Sequence, residues 1–151
     1  MTSLTVLVLR LMVRPGQPVV FDHPTYPQAL DAILAAGARP TPVALPDDAG
    51  AGAGTEGWDV EGLIAACRTS GAPLAYLVLD HHNPTGRMMR AADRLRLLAG
   101  LKGCETLLVL DETLVELTLS GPPALTASMA CPRPLAKISR NCIGRVGALR
   151  L

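Results

Sequence analysis

Short, uninterrupted apolar runs alternate with segments of helical periodicity along this chain, and that alternation restricts its fold more than any other feature. Leu74–Leu79 (LAYLVL) and Thr106–Leu110 (TLLVL) lack the every-second polar residue of a strand with one wet face, so both read as strands buried on two sides. Between them Ala91–Leu101 carries Leu95, Leu97, Leu98 and Leu101 at helical spacing. Continuous apolar strands separated by helices imply a parallel sheet with helices on both faces, a three-layer α/β/α fold.

The same grammar extends upstream. Pro18–Asp22 (PVVFD) reads as a strand and Tyr26–Ala36 as a helix closed by Gly37. Thr41–Leu45 is a weaker strand, and Pro42 within it puts it near an edge. Pro46–Gly57 is a Gly/Ala-rich surface loop, after which Asp59 caps a helix over Val60–Arg68. Downstream, Ser120–Pro134 reads as a long loop, followed by short strands at Leu135–Ser139 and Val146–Leu149. Apolar segments lie directly against both termini, so the domain is expected to be cut at each end.

Composition narrows the function classes. Over 151 residues the net charge is only +1, which gives no electrostatic footprint for nucleic acid or an anionic membrane. The most apolar stretch, Leu4–Val13, contains Arg10 and is about half the roughly 20 residues of a membrane span. It also lacks a basic segment before it and a small-residue cleavage site after it, so a cytoplasmic protein is expected. Cys67, Cys104, Cys131 and Cys142 form no C-x-x-C pair and read as small apolar residues in a reducing compartment. Only Lys102 and Lys137 among the 14 basic residues are lysine.

Two polar clusters follow the two buried strands: Asp80-His81-His82-Asn83-Pro84-Thr85-Gly86 and Asp111-Glu112-Thr113. Taken singly, the first is a plain turn and the second a helix cap. Taken together they stand at the strand ends where open parallel sheets bind ligands, and neighbouring strands are only about 4.8 Å apart.

N-P-T-G after one buried strand and D-E after the next resemble the signature of class I/II, fold-type I aminotransferases, enzymes dependent on pyridoxal 5'-phosphate. Pro24–Pro27 (PTYP) fits the same family. The run AAGARPTPVALPDD…GWDVEGL is most similar to the aminotransferase-like domain of MocR/GntR-type regulators and their stand-alone relatives. The resemblance implies an aspartate-aminotransferase-type large domain, incomplete, over residues 1–151, with no small domain and no DNA-binding domain. It also implies a homodimer acting on an amino acid and a 2-oxo acid.

Carried over position by position, it assigns Asn83 to the cofactor's phenolic oxygen, Asp111 to its protonated pyridine nitrogen and Tyr26 to one ring face. Arg145 resembles the phosphate-holding arginine, and Ser139 falls on a serine of the family's S-x-S-K motif. His81 and His82 receive no role and read as surface or supporting residues.

The departures concern reactivity. The motif falls on Lys137-Ile138-Ser139-Arg140, so Arg140 occupies the position of the lysine that carries the cofactor, and Lys137 replaces the first serine. Arginine keeps its charge and does not form the imine. Lys137, one turn away, is a candidate substitute. Gly144 and Arg145 are adjacent where the family has two more residues, and the glycine-rich phosphate segment expected before Leu4 is missing. Three hypotheses follow: an impaired aminotransferase domain or inactive fragment, an effector-sensing domain of a MocR-type regulator, and a flavodoxin-like α/β domain without cofactor.

Overall fold

The computed structural model describes residues 4–46, 57–114 and 135–138, the last four by backbone alone. Its elements are α1 (Leu4–Met12), β1 (Pro18–His23), α2 (Pro27–Ala35), β2 (Arg39–Ala44), α3 (Val60–Ser70), β3 (Leu74–Leu77), α4 (Ala91–Gly100), β4 (Leu107–Asp111) and β5 (Leu135–Ile138). The strands form one parallel sheet in the order β2-β1-β3-β4-β5. The α/β expectation is met. The loop at 120–134 and the strand at 146–149 lie outside the described residues, as does most of the loop at 46–57.

Alternation along each strand builds two cores. Val19, Phe21, Leu74, Tyr76, Val78, Leu107 and Val109 face one side, where Leu9 and Val13 and the α2 residues Ala29, Ala32 and Ile33 cover them. Val20, Ala75, Leu77, Leu108 and Leu110 face the other, beneath Val60, Leu63, Ile64 and Cys67 of α3 and Leu97 of α4. Helices on both faces make the three layers.

The Leu4–Val13 segment forms α1 and not a span: Leu9 is buried in the sheet's core while Leu7 and Leu11 stay exposed. Among the described residues no helix is long and apolar enough to cross a membrane. Edge strand β2 holds Pro40 and Pro42 two residues apart, which removes donors from the outer side and blocks further pairing.

Local signals set the helix ends. Asp59 Oδ1 accepts the Gly62 N–H at 2.8 Å, capping α3, and Gly71 closes it at φ 63°. Strand β3 ends two residues before the apolar run does, because the Val78 N–H is taken by a side chain, Asp22 Oδ2 at 3.3 Å. Chain direction reverses between β1 and β3: from β1 it moves outward to β2, then crosses back to β3 and proceeds to β4. The carboxyl edge at that switch is the crevice such sheets offer to ligands.

Candidate active site

Four successive strands deliver the sequence-predicted residues to the carboxyl edge. Tyr26 follows β1 and precedes α2, half-buried against the core on the α1/α2 side. Asn83 lies in the loop after β3, and Asp111 is the last residue of β4. Lys137 belongs to β5, paired with Leu110, while Ile138 pairs with Asp111. Only its backbone is described, and Ser139, Arg140 and Arg145 lie outside the described residues.

The segment around Asn83 is a closed turn. The His82 N–H donates to the Arg87 carbonyl at 2.8 Å and the Gly86 N–H to the His82 carbonyl at 2.5 Å. Gly86 sits at φ 72°, His81 holds φ 46°, and the Asn83–Pro84 bond is cis, as is His23–Pro24. A left-handed conformation at a residue bearing a Cβ is sparsely populated and persists where its surroundings enforce it. The turn expected from Asn-Pro and Thr-Gly therefore exists; what it serves depends on its neighbours.

Those neighbours form a buried polar knot that the sequence did not reveal. Asp22, wholly buried at the end of β1, accepts from Trp58 Nε1 at 3.3 Å, from the Val78 N–H and from Thr25 Oγ1 at 3.4 Å. His82, 1% exposed, has Nδ1 2.8 Å from Thr85 Oγ1 and its ring edge-on to Trp58. Its Nε2 lies 3.5 Å from Asp22 Oδ2, in ion-pair range, yet has no hydrogen-bond partner among the described residues. At that separation the two groups face each other without a well-formed hydrogen bond. The knot joins the loop carrying Tyr26, through Thr25, to the turn carrying Asn83, through His82. Of the two readings of His82, surface or supporting, its burial leaves the supporting one.

Asp80 does not face the cleft. Both its oxygens accept from Arg94, at 2.6 and 3.0 Å, and Arg94 also donates to the carbonyls of Leu79 and Met89. This buried bidentate pair ties the exit of β3 to α4.

Asp111 is held from two sides. Tyr76 Oη donates to its Oδ2 at 2.6 Å, and the Thr113 N–H to its Oδ1 at 3.0 Å. Tyr76 pairs with Val109 in the ladder, two residues before Asp111, so both side chains share one face of the sheet. Burial, and then Asp111 itself, drive the Tyr76 phenol far above the ordinary tyrosine range, so it stays a donor. Leaving a buried hydroxyl unbonded costs roughly 1–3 kcal/mol, which is the signal in LAYLVL that sequence reading passed over.

A cavity of about 450 Å³ opens at the opposite edge, lined in part by Gln17, Cys67, Arg68, Pro73, Cys104 and Thr106. It holds none of the residues above and lies at the amino ends of the strands, where sheets of this kind do not ordinarily bind ligands. Among the described residues no group of three or more His, Cys, Asp or Glu could hold a metal ion.

A family model, aminotransferase class I and II, matches residues 1–139. Histidinol-phosphate aminotransferase from Sinorhizobium meliloti, solved with pyridoxal-5'-phosphate, is 35% identical with a TM-score of 0.61, over 75% of this chain and 28% of that one. The multiple substrate aminotransferase from Thermococcus profundus is 25% identical, TM-score 0.74, over 89% of this chain and 33% of that one. For LysN, the alpha-aminoadipate aminotransferase from Thermus thermophilus, the values are 21% and 0.76, over 89% and 34%. This chain thus spans about a third of the length of these structures. No curated protein matches it.

Proposed function

The chain belongs to the class I and II aminotransferases, and from that premise we propose that its carboxyl edge is a pyridoxal 5'-phosphate site with an intact ring-holding half and an altered covalent half. In this reading Asp111 faces the ring nitrogen, Asn83 the phenolic oxygen, Tyr26 one ring face, and Arg145 with Ser139 the phosphate. The observation that carries it is Asp111, a carboxylate at a strand end whose two oxygens accept from Tyr76 and Thr113. Two donors hold that carboxylate in place as an acceptor, which is what a protonated ring nitrogen requires of its partner. The residues therefore fit the group. When bound, the cofactor supplies an electron sink for amino-group transfer between an amino acid and a 2-oxo acid.

This chain's own contribution is to bind and orient: Asp111 holds the proton on the ring nitrogen, and Tyr26 shields one face from water. A cytoplasmic homodimer is part of the same proposal. Arg140, unable to give up its proton, leaves the cofactor held noncovalently and turnover impaired. The same residue favours a second reading, an effector-sensing domain of a MocR-type regulator, where a ligand is sensed without being turned over.

Absorbance after adding pyridoxal 5'-phosphate, followed by borohydride and peptide mapping, tests both halves. A bound-cofactor band is expected, with no labelled peptide, and Arg140→Lys gains a label at residue 140. A label on Lys137 in the unaltered chain would refute the altered covalent half. The absence of any band in either chain would refute the site.

A further inference from the structure

We propose that Tyr76 is a positioning residue for the cofactor-facing carboxylate: from the middle of β3 its hydroxyl donates to Asp111 and fixes the direction in which its remaining lone pairs point. What concerns the cofactor rests on the site reading above; what concerns Asp111 stands by itself.

The ring of Tyr76 is 1% exposed and packs in the same core as Phe21, Val19 and Val109. A phenylalanine would fill that volume as well, so the hydroxyl is an addition to a core position, and its partner is a single carboxylate oxygen 2.6 Å away. Contact so short is characteristic of a hydroxyl donating to an ionised acceptor. With Oδ1 taken by the Thr113 N–H, the plane of the carboxylate is set by one bond from β3 and one from the turn after β4. Neither bond comes from the loop carrying Asn83, so the aim of Asp111 is independent of that loop.

The donor is permanent. Burial first, then Asp111, keep the phenol protonated well above its usual range, and Asp22 and Tyr26 act in the same direction. Near this end of the sheet stand also Glu112, next in the chain, His82, 3.5 Å from Asp22 Oδ2, and Lys137, on the strand paired with β4. A hydrogen bond given to the charged form lowers the carboxyl's proton affinity, and its removal raises it.

The experiment follows the carboxyl carbon of Asp111 by 13C NMR through an acid titration of the cofactor-free chain, assigned with Asp111→Asn. In Tyr76→Phe the midpoint is expected to rise by about one pH unit, and pyridoxal 5'-phosphate to bind about tenfold more weakly. A midpoint that does not move overturns the proposal. A raised midpoint in a chain that binds no cofactor in either form supports the hold on Asp111 and refutes the site reading, so the two failures are separable. Should Tyr76→Phe not fold, biosynthetic 3-fluorotyrosine serves, since the chain has only two tyrosines. The more acidic phenol is a stronger donor and should lower the midpoint; a rise or no change overturns the proposal.

Discussion

Removing Asp80 should be among the most damaging single substitutions in the chain. Arg94 is 5% exposed and makes four bonds: two to the Asp80 carboxylate and one each to the carbonyls of Leu79 and Met89. Asp80→Ala deletes the two charge-assisted bonds, each worth about 1.5–3 kcal/mol, and strands a buried guanidinium on two neutral carbonyls. Breaking a buried pair from one side costs about 3–5 kcal/mol, and we expect a loss in that range. Against the roughly 5–15 kcal/mol that holds a typical domain together, the loss is severe. With a urea dependence of about 2 kcal/mol per molar, the unfolding midpoint should fall by about 1.5–2.5 M. The companion Asp80→Leu/Arg94→Met replaces the pair by apolar volume and should recover most of that loss, since no orphan charge remains. Equilibrium urea unfolding followed by far-UV circular dichroism provides the assay. A loss below about 1 kcal/mol in Asp80→Ala would refute the reasoning, because it would mean water reaches Arg94.

Two smaller predictions concern α3. Burial, with a contribution from Cys104, pushes the Cys67 thiol up to about 11 from 9.0, against the pull of Thr106. The folded thiol then holds its proton more tightly than the unfolded one, so its contribution to stability is present below pH 9 and lost as pH rises through 11. Iodoacetamide at pH 8 should leave Cys67 unmodified in the folded chain, and ready labelling there would contradict this. Asp59→Ala removes the cap on the Gly62 N–H and should cost about 1 kcal/mol, read as a lowered thermal midpoint.

The sheet was legible because its interior is built from a repeated pattern. Full burial on two faces demands apolar runs like TLLVL, and the crossovers demand helices between them. The edge position of β2 was legible through Pro42, and the N-terminal cap of α3 through Asp59, because each acts over three or four residues. The segment Leu4–Met12 was not legible as a helix: it is apolar nearly all round, so no period singles out the face that Leu9 turns to the core. The true end of β3 was hidden as well, since Asp22, 56 residues earlier, takes the Val78 N–H.

By itself the sequence determined which strands are buried, which segments cross over, and which polar clusters stand at the strand ends, since all three are written in local spacing. Only the tertiary structure decided what those clusters do. Asp80, His82 and Asp111 follow similar apolar runs, yet one pairs with Arg94, one packs on Asp22 and Trp58, and one is held by Tyr76. A polar residue's role depends on which groups the register of neighbouring strands brings within about 3 Å of it, and residues 35 positions apart, as Tyr76 and Asp111 are, meet only when the sheet has formed.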